Sequence, residues 1–263
     1  MNPWLPAALA LWRREIVRFF RQRGRVIGAI GTPLMFWAVF GFGFFESFRA
    51  EGTAAGGVGY QAWSLPGIVA MTLLFTAVFS GFSLIEDRKE GFLQGVLVAP
   101  VSPAAMVVGK LLGGATVAVA QGLLILALAP LVGIPLDASR LTATFCVMAL
   151  TALGLTGLGF AAAWRSGSIQ GFHGVMNLLL MPMWLLSGAV FPASGAHGAV
   201  RAIMAANPMT YGVAALRRVM WPESVGPDAP GLVLALSVTA AFAALTFVLS
   251  LAAARRPTAG DLH

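Results

Sequence analysis

Six apolar stretches, each about as long as a bilayer is thick, limit what this chain can fold into more than any other feature. A helix rises about 1.5 Å per residue, so roughly 20 apolar residues cross a hydrocarbon layer of about 30 Å. Only 10% of the residues are charged, against roughly 25% in ordinary globular proteins, and the surplus apolar surface must face lipid. We therefore predict an all-α integral membrane protein that forms a single transmembrane domain over residues 1–263. Its six predicted transmembrane helices are residues 26–45, 63–85, 106–132, 141–164, 172–191 and 232–254.

The basic residues predict how these spans are oriented. Six crossings place both termini on the same side, and twelve of the 17 lysines and arginines then fall on that side. Since loops rich in Lys and Arg stay in the cytoplasm, we expect both termini to be cytoplasmic in a multi-pass protein of the cell membrane, inner or plasma. Lys110 is close enough to a helix end to extend its amine to the interface. The charges lie between apolar runs and not on one water-facing surface, so nucleic acid is not an expected partner.

Residues 4–25 form a different kind of segment. Large apolar side chains, among them Trp12 and Phe19, recur at helical spacing, while arginines that include Arg14 and Arg18 recur on another face. This pattern predicts an N-terminal amphipathic helix in the cytoplasmic interface, attracted by anionic membrane lipid. Two roles remain open for it, a membrane anchor or a docking surface for a partner.

The segment between the second and third spans, residues 86–102, combines charged and apolar residues. It begins with acidic and basic residues, continues with one or two amphipathic turns and stops at Pro100. Ser102 is placed to cap the next helix, and Pro103 suits its first position. A short helix held rigidly between two spans acts as a lever, because a force on it reaches both spans. An ordinary solvated loop would not need its four large apolar residues, Phe92, Leu93, Val96 and Leu97.

Between the fifth and sixth spans, residues 192–231 contain two apolar helical patches, each too short to cross a bilayer. Asn207 and Pro208 separate them, since the residue before a proline is pushed out of helical geometry. Thr210 is expected to cap the second patch. We therefore predict a re-entrant helical hairpin in or just above the outer leaflet.

The chain offers few groups that could carry out chemistry. No Asp or Glu falls in the middle of a predicted span, which disfavours a proton-coupled carrier. The three histidines lie far apart and Cys146 is alone, so we predict no catalytic residue, no metal site and no cofactor site. The sequence also lacks a glycine-rich phosphate loop. If ATP drives this protein, another polypeptide must hydrolyse it, and the chain itself is not an enzyme.

Three stretches of the chain carry recognisable motifs in a fixed order. They are Glu86 to Pro103 after the second span, Leu186-Ser187-Gly188 with Phe191-Pro192 at the end of the fifth span, and Asn207-Pro208-Met209-Thr210-Tyr211 with Leu216-Arg217 in the outer hairpin. Together they resemble the permeases of the ABC-2 type transporter family over essentially the whole chain. Phe92 and Gln94 depart from the Thr and Glu common after the family's glycine, and Ala214 occupies a place that is often acidic.

This resemblance implies a dimer of six-span units, formed with a second copy of the chain or a close paralogue. Each unit would rest on a separate cytoplasmic ABC ATPase subunit, two copies in all, which hold ATP and Mg. Segment 86–102 would be the coupling helix in a groove of that ATPase, with Phe92, Leu93 and Leu97 as anchors and Arg88 and Glu90 as rim contacts. The implied ATPase-coupling residues are Glu86, Arg88, Glu90, Gly91, Phe92, Leu93, Val96, Leu97, Pro100 and Ser102; those of the interface helix are Trp12, Arg14, Arg18 and Phe19; those of the outer hairpin are Asn207, Pro208 and Tyr211.

We therefore predict the permease subunit of an ATP-driven exporter that moves an amphipathic, drug-like or lipid-linked substrate out of the cytoplasm. Apolar walls without buried charge suit such a substrate better than an ion. A membrane-embedded lipid-modifying enzyme is the first alternative; it needs polar residues that converge at one membrane depth, and the candidates are Gln121, Thr151 and Asn177. A non-transporting assembly subunit of the membrane is the second.

Overall fold

The computed structural model describes residues 4–43, 60–98, 101–226 and 229–255. All regular structure in these residues is helical, with short 3₁₀ turns and one π-helical turn at Leu185–Ala189. In chain order the α-helices are α1 Trp4–Arg21, α2 Arg23–Gly43, α3 Tyr60–Phe79, α4 Phe82–Lys89, α5 Phe92–Val98, α6 Pro103–Leu126, α7 Ala138–Arg165, α8 Ile169–Trp184, α9 Gly198–Ala206, α10 Pro208–Met220 and α11 Leu232–Ala254.

Five helical stretches of the described residues are long and apolar enough to cross a bilayer, and the chain is an all-α integral membrane protein. They are Tyr60–Lys89, Pro103–Val132, Ala138–Arg165, Ile169–Ala189 and Leu232–Ala254. Their ends differ from the predicted ones by at most four residues. The first predicted span falls on α2, whose apolar part is the shorter Val26–Val39, and residues 44–45 lie outside the described part. A sixth crossing stays a prediction.

The Tyr60–Lys89 stretch is the centre of the bundle. In its most apolar window 72% of the residues are buried, whereas the corresponding window of α11 is 17% buried. Helix α3 packs against α2, α6, α7 and α10, while α11 lies on α7 and α10. The side chains of α3 therefore form the core, and α11 presents most of its apolar surface outward.

Helix α1 lies on α6 through one face. Its buried residues are Ala8, Leu11, Glu15 and Phe19, three or four positions apart as an amphipathic helix requires. The helix ends at Arg21, so residues 23–25 belong to α2 and the interface helix is shorter than the predicted 4–25. The buried face also contains a carboxylate, which a helix that only floats on lipid would not need.

The hairpin after α8 forms two short helices, α9 and α10, separated at Asn207 as predicted. Asn207 has an extended backbone, with φ −81° and ψ 117°, and its side chain accepts a hydrogen bond from the Met209 amide. The cap of α10 is therefore Asn207, and the prediction that Thr210 caps this helix is wrong. Thr210 lies inside the first turn and donates its hydroxyl to the Met204 carbonyl at 2.6 Å. At α6, Ser102 caps the helix and Pro103 occupies its first position, as predicted.

Candidate functional site

The fully buried carboxylate of Asp87, near the end of α4, gathers charged side chains from two other helices. Arg14 of α1 donates to both carboxylate oxygens, from Nη1 at 2.9 Å and from Nη2 at 2.6 Å, and Arg18 donates to Oδ1 at 2.6 Å. The ammonium of Lys110 on α6 donates to Oδ2. We call Arg14, Glu15, Arg18, Asp87 and Lys110 the Asp87 cluster.

Lys110 does not extend to the interface, and the prediction that it snorkels is wrong. It is 5% exposed, and its Nζ also donates to Glu15 Oε1 at 2.7 Å and to Ser83 Oγ at 3.3 Å. Helix α1 covers this part of α6 and brings Glu15, which is 8% exposed, to the amine. Two carboxylates hold the lysine inside the protein, because a paired ammonium tolerates burial that an unpaired one does not.

The cluster is stable only as a set. Burial alone lowers the pKa of the Arg14 guanidinium, but the hydrogen bonds and charge of Asp87 outweigh it, so this pKa is raised above its ordinary value. A buried carboxylate that lost its cations would keep the full cost of leaving water. The arrangement therefore fastens α1, α4 and α6 to one another at one point.

Two glycines of α6 make this approach possible. A methyl group on Gly109 would lie 2.7 Å from the Ala8 carbonyl oxygen, and one on Gly113 would lie 2.5 Å from Glu15 Cβ. Any side chain at these positions would move α1 away from α6 and pull the charges apart. The GxxxG spacing of Gly109 and Gly113 thus serves a contact within the chain.

Arg88 fastens the same segment to a fourth helix. Its guanidinium donates to the carbonyl oxygens of Trp164 at 2.9 Å and Ser166 at 3.1 Å, at the carboxyl end of α7, and lies over the Trp164 ring. Carbonyls at a helix end lack partners within the helix, and a cation suits them. Arg88 therefore binds carbonyls of this chain. Its predicted role as a rim contact with an ATPase stays a prediction.

The other predicted coupling residues lie around this point. Arg18 pairs with Glu86 at 2.9 Å and with Glu90 at 3.5 Å. The Phe92 ring lies beneath the Arg14 guanidinium, with its centre 3.7 Å from the guanidinium carbon. Gly91 turns the chain between α4 and α5 with φ +75°, a conformation that favours glycine. Leu93 is buried in the core of this chain, whereas Val96 is half-buried. The Leu97 side chain and Pro100 lie outside the described part.

The interface helix residues bind the bundle instead of pointing to lipid. Besides Arg14 and Arg18 in the cluster, Trp12 donates its indole hydrogen to Thr116 Oγ1 on α6 at 3.1 Å, and Phe19 is buried. Sequence reasoning missed Glu15, Asp87 and Lys110 as partners. A signal existed for Asp87, because Thr76, Ser80, Ser83 and Asp87 recur at helical spacing and so share one face of the Tyr60–Lys89 stretch.

At the other end of α3, the helix pair α9–α10 packs against a break in α8. The π-helical turn contains two non-helical residues, Leu186 and Gly188, the latter with φ +80°. The Asn207 amide donates to the carbonyl oxygens of Met183 at 2.7 Å and Leu186 at 3.2 Å. Pro208 begins α10, and Tyr211 donates to the Ala205 carbonyl at 2.9 Å. These predicted hairpin residues therefore bind the carbonyls that the helix ends leave free.

Arg217, from the same motif, is buried beside this break. Its Nη2 donates to the carbonyl oxygens of Gly188 at 3.2 Å and Trp63 at 3.5 Å, and its guanidinium carbon lies 4.1 Å from the centre of the Trp63 ring. Burial lowers the pKa of Arg217 to about 10. The side chain is still protonated at neutral pH.

The polar residues named for an enzyme do not converge. Gln121 bonds Thr76 on α3, whereas Asn177 bonds His173 on its own helix. Among the described residues there is no group of three or more His, Cys, Asp or Glu side chains that could hold a metal ion. The geometry gives no support to that alternative.

Comparison with known proteins agrees with this architecture. The sequence model of the ABC-2 type transporter family matches residues 6–221. Nodulation protein J of Rhizobium leguminosarum bv. viciae is 26% identical over 254 residues, 94% of this chain and 93% of that protein. Nodulation protein J of Rhizobium meliloti strain 1021 is 27% identical over 94% of this chain and 92% of its own length. Inner membrane transport permease YhhJ of Escherichia coli K12 is 26% identical over 59% of this chain and 41% of its own length. The chain therefore belongs to the ABC-2 type transporter family.

Proposed function

We propose that this chain is the permease subunit of an ATP-driven exporter and that α4–α5 receives the movement of a separate ATPase subunit. The observation that carries this proposal is the double hydrogen bond of Arg14 to the buried Asp87, which Lys110 joins from α6. Because Asp87 and Lys110 are buried, α4 cannot move away from α1 and α6 without separating charges in a low dielectric. A push on α5 is therefore passed to the helices on both sides.

The membership in the ABC-2 family supports the rest of the assembly. Two ATPase subunits would bind ATP and Mg, and a second copy of this chain or a close paralogue would complete the membrane unit. The ends of the chain and the α4–α5 segment would face the cytoplasm, in keeping with the excess of basic residues there. The ATPase pair can drive transport only if it binds two conformations of the membrane unit with different affinity.

An amphipathic, drug-like or lipid-linked cargo fits this bundle best. The described core consists of apolar side chains, and its buried ionic groups are paired near the α1 end or placed beside the α8 break. One name among the relatives, a transport permease of the inner membrane, agrees with a membrane transport role. The proposed direction of transport is export from the cytoplasm and not import.

The test begins with the partner. The full chain is purified from its own organism with an affinity tag in mild detergent, and the co-purified ATPase is identified by mass spectrometry and reconstituted with it in vesicles. Replacing Phe92 and Leu97 together with Asp should abolish the stimulation of ATPase activity and the movement of a fluorescent amphipathic dye, while membrane insertion stays intact.

Arg140→Gln is the matched control, because Arg140 lies far along the chain from α5 and pairs with Glu223. This variant should keep both activities. Unchanged transport in the Phe92→Asp, Leu97→Asp double variant would overturn the lever assignment. Transport or catalytic turnover by the purified chain alone would overturn the exporter proposal itself.

A further inference from the structure

Arg217 is a buried cation with donors left over. It is 9% exposed, and both of its hydrogen bonds come from Nη2 and end on backbone carbonyls, while its buried Nε has no partner among the described residues. In the described part of the chain, its guanidinium forms no ion pair with a carboxylate. A guanidinium has five N–H donors, and a buried donor without an acceptor is unfavourable. Arg217 therefore keeps donors that no described group satisfies.

The walls of this site are aromatic. The Trp63 ring covers one face of the guanidinium, and the Tyr60 ring lies 5.6 Å from the Trp63 ring. The Tyr60 hydroxyl donates to the Val190 carbonyl at 2.9 Å, which fixes this ring beside the break. Trp and Tyr are the side chains that favour the boundary between hydrocarbon and headgroups. A molecule with a charged head and an apolar tail suits such walls better than a free ion does.

The break in α8 provides the third side. The π-helical turn Leu185–Ala189 directs the Gly188 carbonyl toward Arg217, and this holds the guanidinium in place by one of its nitrogens. Irregular backbone within a membrane protein occurs where it is buried or lines a cavity, and π-turns recur at functional sites. The arginine is thus positioned by the fold while its other nitrogens carry no hydrogen bond within the described residues.

We propose that Arg217, with Trp63 and Tyr60, binds the phosphate group of an anionic amphiphile at the α3–α10 end of the bundle. Phosphate offers several acceptor oxygens around one charge, and guanidinium donors match that geometry better than any other side chain. The proposal concerns binding and does not depend on transport.

A purely structural role makes a different prediction. If Arg217 only binds the two carbonyls, a neutral side chain with an N–H donor can replace it, and no ligand is involved. Arg217→Gln keeps a donor and removes the charge. Arg140→Gln is the control, because it removes one positive charge at a different place. Arg140 is paired with Glu223 at 3.2 Å and with Asp137 at 3.5 Å.

The experiment measures the thermal unfolding midpoint of the purified full chain in a neutral detergent. Four probes are titrated: oleoyl lysophosphatidic acid, monoolein, oleate and inorganic phosphate. We expect saturable stabilisation of the wild type and of Arg140→Gln by the lysophosphatidic acid only. Binding to Arg217→Gln should be about tenfold weaker, as the loss of one charge-assisted contact implies.

Each other outcome overturns the proposal in a defined way. Equal stabilisation by monoolein would show that the phosphate group is not recognised. Equal stabilisation by oleate would show no preference for phosphate over carboxylate, and a full effect of inorganic phosphate would show that the apolar tail is not needed. Equal binding by wild type and Arg217→Gln would show that Arg217 does not bind the ligand. If Arg217→Gln does not fold, photolabelling of the wild type with a diazirine lysophosphatidic acid decides: labels should fall on α3 near Trp63 or on α10, and labels elsewhere overturn the site.

Discussion

The two ends of the Tyr60–Lys89 stretch hold arginine side chains in opposite ways. At one end Arg14 and Arg18 share the Asp87 carboxylate, Lys110 also pairs with Glu15, and Arg18 also pairs with Glu86. At the other end Arg217 has two carbonyls and an aromatic ring but no carboxylate in the described residues. Charges that pair with one another join helices, whereas a cation without a carboxylate partner keeps donors that a ligand could use. Burial by itself therefore does not say what a charged residue does; its partners do.

The largest expected effect comes from breaking the Asp87 cluster. Asp87→Ala leaves three cations around a buried gap, and we expect the free energy of unfolding to fall by about 3–5 kcal/mol. Reversible unfolding in mixed detergent micelles measures this. Glu90→Gln is the control, because Glu90 is 60% exposed and only 3.5 Å from Arg18, so its change should be at most about 1 kcal/mol. Equal losses in the two variants would show that the cluster is not a buried network.

The second effect tests the approach of α1 to α6. Gly113→Ala places a methyl group 2.5 Å from Glu15 Cβ, and we expect a loss of about 1–3 kcal/mol in the same unfolding measurement. Gly174→Ala in α8, where nothing lies within 4 Å of the new methyl group, should not destabilise the protein. If Gly113→Ala is neutral, α1 packs less closely on α6 than described here.

The third effect tests Arg217, the cation that has no carboxylate partner among the described residues. Arg217→Met removes two hydrogen bonds to carbonyls but leaves no unpaired carboxylate behind, so we expect a loss of about 1–2 kcal/mol. This loss should be smaller than that of Asp87→Ala, measured side by side. A loss as large as that of Asp87→Ala would mean that Arg217 has a hidden counter-charge, and the contrast between the two ends would fail.

The smallest effect concerns the pair of the half-buried Arg140 and the exposed Glu223. Arg140→Gln should cost about 0–1 kcal/mol in dilute buffer, and this difference should disappear near 1 M salt. The loss in Asp87→Ala should persist at the same salt concentration, because buried charges are screened little. If the loss of unfolding free energy in Asp87→Ala also disappeared near 1 M salt, the Asp87 cluster would be exposed to solvent.

Much of the helical layout was readable from the sequence, because bilayer thickness fixes how long an apolar run must be. The sixth predicted span, residues 232–254, coincides with α11, and Ser102 caps α6 as its position before Pro103 indicated. Thr210 failed as a cap because Asn207, three residues earlier, already takes the helix start. Local rules work when the deciding contacts are a few residues apart.

The Asp87 cluster could not be predicted in the same way. Asp87 stands among five consecutive charged residues, and nothing in that run says which one is buried. Lys110 was expected at the interface because its partner Glu15 is 95 positions away. Burial of a charge depends on what another helix brings to it, so only the packed bundle identifies the residues that couple α1, α4 and α6.

The sequence by itself determined the membrane class, the placement of the long helices and the family motifs, since each depends on hydrophobic length or local spacing. The tertiary structure decided which charges are paired, which glycines admit a neighbouring helix and which donors of Arg217 lack an acceptor among the described residues. The physical reason is that hydrophobic burial is summed along a segment, whereas the electrostatic energy of a buried group depends on atoms within a few ångströms that come from distant parts of the chain.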